Sequence, residues 1–124
     1  MSTKAQYLFP DAVAGFFALS IILVSLSSPS AEIVQTASWI FKSDQLGHFA
    51  GYSILGFLSL YRRQNLKATL IIVLCLITLG GMIELIQETV GRSAEFTDFI
   101  ANVAGILFAW SIMSIFRSMG SLSR

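Results

Sequence analysis

Residues 66–87 read LKATLIIVLCLITLGGMIELIQ. Sixteen uncharged residues separate Lys67 from Glu84. The apolar residues run without alternation through Leu70-Ile71-Ile72-Val73-Leu74. A membrane strand shows segments of about ten residues with alternating polarity, which this stretch lacks. In hydrocarbon every backbone amide and carbonyl must find a partner inside its own segment, so an unbroken run of this length forms a helix. A spanning helix needs about 20 mostly apolar residues, with a range of about 17–25.

Three further runs have the same character. Asp11 to Glu32 encloses 20 uncharged residues, Asp44 to Arg62 encloses 17 with His48 among them, and Asp98 to Arg117 encloses 18. Four such runs nearly exhaust a chain of 124 residues. Charged residues make up 12% of it and hydrophobic ones 55%, with a mean hydropathy of +0.75. Soluble domains carry about twice that share of charge. The balance excludes a soluble globular enzyme and a disordered chain. A net charge of +1 leaves no basic footprint for nucleic acid. The single cysteine, Cys75, excludes an internal disulfide and a cysteine metal cluster. It reads as an inert packing residue in the middle of its span.

The expected architecture is all-α: one membrane domain over 1–124, a bundle of four transmembrane helices at about 9–28, 44–61, 66–87 and 97–116. The first span also fits a secretory signal peptide ending at Ser28-Pro29-Ser30-Ala31. Its uncharged stretch is long for the 7–15 residues of such a core, which favours a retained helix. Residues 31–43 are too short to span. Ile33, Ala37, Ile40 and Phe41 follow helical spacing, and Trp39 suits a membrane interface, so the segment reads as a short interfacial helix.

Four spans place both termini and the 62–67 loop on one side. That side carries Lys4, Arg62, Arg63, Lys67, Arg117 and Arg124, against Lys42 and Arg92 on the other. The positive-inside rule then sets both termini of this multi-pass membrane protein in the cytoplasm.

The remaining polar residues fall at one depth. With a rise of about 1.5 Å per residue from the inner charges, Asp44 lies about 27 Å up its span, His48 about 21 Å, Glu84 about 25 Å, Asp98 about 28 Å and Asn102 about 22 Å. All five belong to the outer third of a core about 30 Å thick. Asp44, His48 and Tyr52 step by four and share a face; so do Glu84, Gln87 and Glu88, and Asp98, Asn102 and Gly105. The loop between the last two stripes brings Arg92. Ionisable groups inside a membrane are costly and default to function. The plainer alternatives are helix capping for Asp44 and Asp98, interhelical bonding for His48 and Asn102, and packing with a satisfied hydroxyl for Tyr52. Gly47 with Gly51, Gly80-Gly81 and Gly105 mark places of close helix approach.

The stretch Asp44-Gln45-Leu46-Gly47-His48-Phe49-Ala50-Gly51-Tyr52 resembles the Asp-Lys-x-x-His-Phe-x-x-Tyr motif of VanZ-like membrane proteins. Glu84 through Gln87 is similar to that family's Glu-x-x-Gln. Gly91-Arg92 with Asp98, Ala101-Asn102 and Gly105 is similar to its Gly-Arg…Asp-x-x-Ala-Asn-x-x-Gly signature. The three elements follow the family's order over residues 44–105, with Gln45 standing where the family usually has Lys. The resemblance implies the bacterial cell envelope and an association with low-level teicoplanin resistance. It supplies a location rather than a reaction.

Two expectations follow for the site. Asp44, His48, Glu84, Gln87, Arg92, Asp98 and Asn102 form an outward pocket for a lipid-linked or anionic head group. Alternatively His48, Glu84 and Asp98 are the acid–base groups of a membrane hydrolase or transferase. No nucleophile motif accompanies them, and Ser53 and Ser93 have no spacing that supports the role. No cofactor and no resident metal are assigned, although one histidine and several carboxylates could hold a divalent ion. A structural subunit, whose polar layer fixes packing against a second copy or a membrane partner, is the third reading. A transport path is the weakest, because the inner half offers only Ser59, Thr69 and Ser114.

Overall fold

Each uncharged run becomes a helix, and the residues at its ends decide where it starts and stops. The computed structural model describes residues 5–41, 43–61 and 65–122. It contains α1 (Ala5–Ser25), α2 (Glu32–Phe41), α3 (Asp44–Leu60), α4 (Leu66–Gln87) and α5 (Phe96–Leu122), with a 3-10 turn at Glu88–Val90. Among the described residues there is no strand. Asn65 starts α4 by accepting from the amides of Lys67 at 2.8 Å and Ala68 at 3.4 Å. Ser43 starts α3 by accepting from Leu46 at 3.1 Å. Both bonds satisfy amides that a helix leaves open at its first turn. Asp44 is therefore not the cap of α3; the serine before it is.

The helices follow the expected runs with two shifts. α1 ends at Ser25 instead of residue 28, because three serines and Pro29 follow Leu26 and a proline cannot continue the ladder. α5 continues six residues past Phe116, since Arg117-Ser118-Met119 contains nothing that stops a helix. Lys4, Lys42, Arg62, Arg63 and Arg124, which enter the orientation argument, lie outside the described residues.

The segments Leu66–Val90 and Phe96–Met119, of 25 and 24 residues, are long and apolar enough to cross a membrane. Asp11–Ser25 is a shorter apolar helix. The polarity of the bundle is inverted relative to a soluble protein. Leu85, Phe96 and Phe16 are 76%, 74% and 72% exposed, whereas Glu84, Gln87, Asp98 and Asn102 are buried. Cys75 belongs to the outward set: it is exposed, not a packing residue as its apolar neighbourhood suggested.

The core is a small apolar cluster of Tyr52, Leu55, Leu60, Val73, Leu76 and Ile106. The pair that packs most intimately is α3 with α5. A Cβ on Gly105 would stand 2.5 Å from the Phe49 carbonyl oxygen and 2.9 Å from the Ser53 amide nitrogen. One turn further down, a Cβ on Gly56 would meet that of Ala109 at 2.8 Å. At the far end Arg117 Nη2 donates to the Leu60 carbonyl at 3.0 Å, closing the C-terminus of α3. Gly51 shows no such need, because its nearest neighbour across α1 is Ile21 at an ordinary 3.8 Å.

The glycine contacts give a direct stability test. Gly105→Ala forces backbone against side chain and should cost about 1–3 kcal/mol. Gly15→Ala meets nothing within 4 Å and should be neutral or up to about 1 kcal/mol stabilising. Reversible unfolding of the detergent-solubilised protein by dodecyl sulfate, followed by circular dichroism, measures both.

Candidate functional site

The α3–α5 contact carries the polar layer with it. Three residues above Gly105 is Asn102, and four above Tyr52 is His48, so the two side chains are brought face to face. His48 Nδ1 lies 2.9 Å from Asn102 Oδ1. Asn102 Nδ2 donates to Glu84 Oε1 at 3.4 Å, which links α5 to α4. His48 Nδ1 is also 3.5 Å from Glu84 Oε1, and His48 Nε2 is 3.5 Å from Asp98 Oδ2. Residues from three helices, expected at one depth, thus meet around one imidazole.

Burial makes this arrangement chemically charged. Glu84 and Asp98 are each 5% exposed and Asn102 is 0% exposed. Glu84 Oε2 and Asp98 Oδ1 have no hydrogen-bond partner among the described residues, although the Glu95 backbone and the Gln45 side chain stand beside these carboxylates. Asp98 lies in the first turn of α5 and turns toward His48 instead of capping its own helix. Asn102 bonds both His48 and Glu84, and so bridges all three helices.

The other expected site residues divide. Asp44 is exposed and Arg92 half-buried, and both line a partly open cavity of about 410 Å³ together with His48. Arg92 makes no side-chain hydrogen bond or ion pair among the described residues. Gln87 is placed elsewhere: buried, it donates to the Ser25 carbonyl at 3.2 Å and closes the end of α1. Glu88, on the same expected stripe, is exposed in the 3-10 turn. Gly91, at φ +78°, ends that turn in the left-handed conformation.

Sequence reasoning expected a satisfied Tyr52 hydroxyl. The residue is buried as expected, 2% exposed, but its hydroxyl has no hydrogen-bond partner among the described residues and sits above Gly80 beside Asn102. Neither candidate nucleophile belongs to the cluster. Ser53 is buried against Gly105, and Ser93 donates to Glu95.

The cavity itself was not legible in the spacing. Phe17, Ile21 and Val24 of α1, Val34 and Ala37 of α2, and Gly51 and Ile54 of α3 form its apolar wall. Its span along α3, from Asp44 to Ile54, is roughly 15 Å. α2 turns Val34 and Ala37 to the cavity while Trp39, 81% exposed, and Ile33 point away. That two-sided apolar character, visible as spacing at Ile33, Ala37 and Ile40, is the one signal that could have located it.

Because Asn102 joins two partners, its loss should be non-additive with theirs. Asn102→Ala strands His48 Nδ1 and Glu84 Oε1 and should cost about 1–3 kcal/mol of stability. A double-mutant cycle of Asn102→Ala with His48→Ala should show a coupling of about 0.5–3 kcal/mol. Unfolding in detergent measures it; a coupling of zero would separate the two residues.

A family model described as VanZ/LLP1 matches residues 11–117. No curated protein and no solved structure matches the chain significantly.

Proposed function

Because the chain belongs to the VanZ/LLP1 family, we propose that it is a four-span membrane protein of the bacterial envelope which holds the anionic head group of a lipid-linked amphiphile at its extracytoplasmic side. The observation that carries this reading is the cavity beside His48. Its wall is apolar over the deeper turns of α1 and α3, and its mouth holds Ser43, Asp44, His48 and the unpaired Arg92. An amphiphile has the same division, an apolar chain and a charged head. A guanidinium offers paired donors that match phosphate or carboxylate. The volume, about 410 Å³, is within the range of small-ligand sites and takes a head group with the start of a chain.

The topology supports the same arrangement. Lys67 begins α4 and Arg117 reaches the end of α3, so both cations stand at the end opposite Arg92 and Asp98. With the positive-inside rule this end is cytoplasmic and the cavity mouth faces outward. Exposed Ile33, Trp39 and Ile40 then seat α2 in the outer interface. In this reading, occupancy of the cavity by an envelope lipid is what would alter susceptibility to a teicoplanin-type glycopeptide.

Native mass spectrometry of the purified protein with a polyprenyl phosphate tests the proposal. One lipid per chain is expected. Arg92→Ala should weaken binding at least tenfold, and Arg92→Lys, which keeps charge but loses the planar fork, by an intermediate factor. Binding that is unchanged in Arg92→Ala, or equal for a neutral polyprenol, would overturn it.

A further inference from the structure

We propose that His48, Glu84 and Asp98 form a binding site for one divalent cation. Each residue comes from a different helix, and a donor atom from each lies within 4.8 Å of the other two. Tetrahedral ligands at about 2.0–2.2 Å from a common ion are about 3.3–3.6 Å apart, so the widest separation closes by about 1 Å when an ion is held.

The hydrogen bonds around His48 give an independent argument. Asn102 Oδ1 can only accept, so its 2.9 Å partner His48 Nδ1 carries the hydrogen. In the neutral ring, Nε2 then presents a lone pair toward Asp98 Oδ2 at 3.5 Å. A lone pair and a carboxylate facing each other in a buried layer need a proton or a cation between them. The 3.5 Å between Nε2 and Asp98 Oδ2 is wider than the about 2.7–2.9 Å of a charge-assisted N–H···O bond. An ion fits these separations better than a proton does.

Two more atoms point the same way. Glu84 Oε2 and Asp98 Oδ1 are buried without a hydrogen bond among the described residues, on side chains about 95% buried. Such oxygens carry a desolvation cost that a coordinated ion removes. Asn102 meanwhile completes an outer shell: it accepts from the ring nitrogen away from the ion and donates to Glu84, fixing both ligands. Its role is positioning.

The donor set selects the ion. One imidazole with two carboxylates and no thiolate suits Mn²⁺ or Zn²⁺. Three protein ligands leave at least one position open, and His48 alone of the three lines the cavity. The ion also resolves a charge problem in the layer. Asp44, Glu84 and Asp98 outnumber Arg92, and an anionic head group added to them would be repelled; a divalent ion cancels that excess. The link to a head group rests on the function proposed above, while the cation site itself does not.

The test uses the full-length protein in detergent, stripped with EDTA and dialysed. Mn²⁺ is titrated under electron paramagnetic resonance, and Zn²⁺ uptake is read by elemental analysis. One saturable ion per chain is expected, together with a rise in melting temperature on adding Mn²⁺. Glu84→Gln and Asp98→Asn should each weaken Mn²⁺ binding at least tenfold. Glu88→Gln and Glu95→Gln, at exposed acids nearby, should keep the wild-type affinity. Wild-type protein that takes up neither ion saturably overturns the proposal whether or not the variants fold. Equal losses in the Glu88 and Glu95 variants overturn it as well. These measurements contain no lipid. A protein that binds Mn²⁺ but no polyprenyl phosphate keeps the cation site and removes the amphiphile. Polyprenyl phosphate binding that survives EDTA undiminished breaks the link between them.

Discussion

The approach of α3 to α5 at Gly105 is the constraint on which the site depends. The space for a Cβ there is already filled by the Phe49 carbonyl and the Ser53 amide. Only glycine lets the two backbones come that close. Without an apolar driving force between helices in lipid, such van der Waals contact supplies much of their association. One turn above this contact, His48 and Asn102 meet at 2.9 Å, and through Asn102 the third helix is recruited at Glu84. Any shift that opened the lower contact would lengthen the upper ones first, because they are short, directional and buried.

The inverted polarity of the bundle follows from the same packing. In water, the burial of Glu84, Asp98, Asn102 and Gln87 beneath exposed Leu85, Phe96 and Phe16 would be unfavourable on both counts. In hydrocarbon the order reverses, since the interior is the only place where polar groups find partners. The polar groups are then used for different ends at two sites. Gln87 closes α1 through Ser25 and Arg117 closes α3 through Leu60, which are ordinary satisfactions of helix ends. The His48 layer leaves carboxylate oxygens and a tyrosine hydroxyl without hydrogen-bond partners among the described residues.

Much of this was legible in the sequence, for a physical reason. Helix rise and membrane thickness are nearly constant, so counting from Lys67, Arg62 and Arg117 placed His48, Glu84, Asp98 and Asn102 in one layer before any coordinates. The i, i+4 step put His48 and Tyr52 on one face, and the structure brings them to the same wall. What failed depended on the rotation of a helix about its axis. Cys75 and Glu88 sit at the expected heights but turn outward, and Gln87 turns toward α1 instead of the cluster. A continuous apolar run carries no rotational signal, because lipid accepts the same residues that a core does. The cavity was hidden for a related cause: it is bounded by three elements whose mutual packing leaves a gap, and a gap has no residue of its own.

The layout of charge around that gap limits what can occupy it. Arg92 enters from the loop after α4, on the cavity side, and has no acidic partner among the described residues. The two buried carboxylates lie behind His48 and do not line the cavity. An ion of either sign entering between α1 and α3 meets Asp44, the guanidinium and the imidazole first, with Glu84 and Asp98 behind the ring. On the two proposals above, an anion would take the mouth and a cation the layer behind it. A plain packing layer has no need of this order, since a buried network fixes helices best when every member is bonded. Here Glu84 Oε2, Asp98 Oδ1 and the Tyr52 hydroxyl are left without hydrogen-bond partners among the described residues.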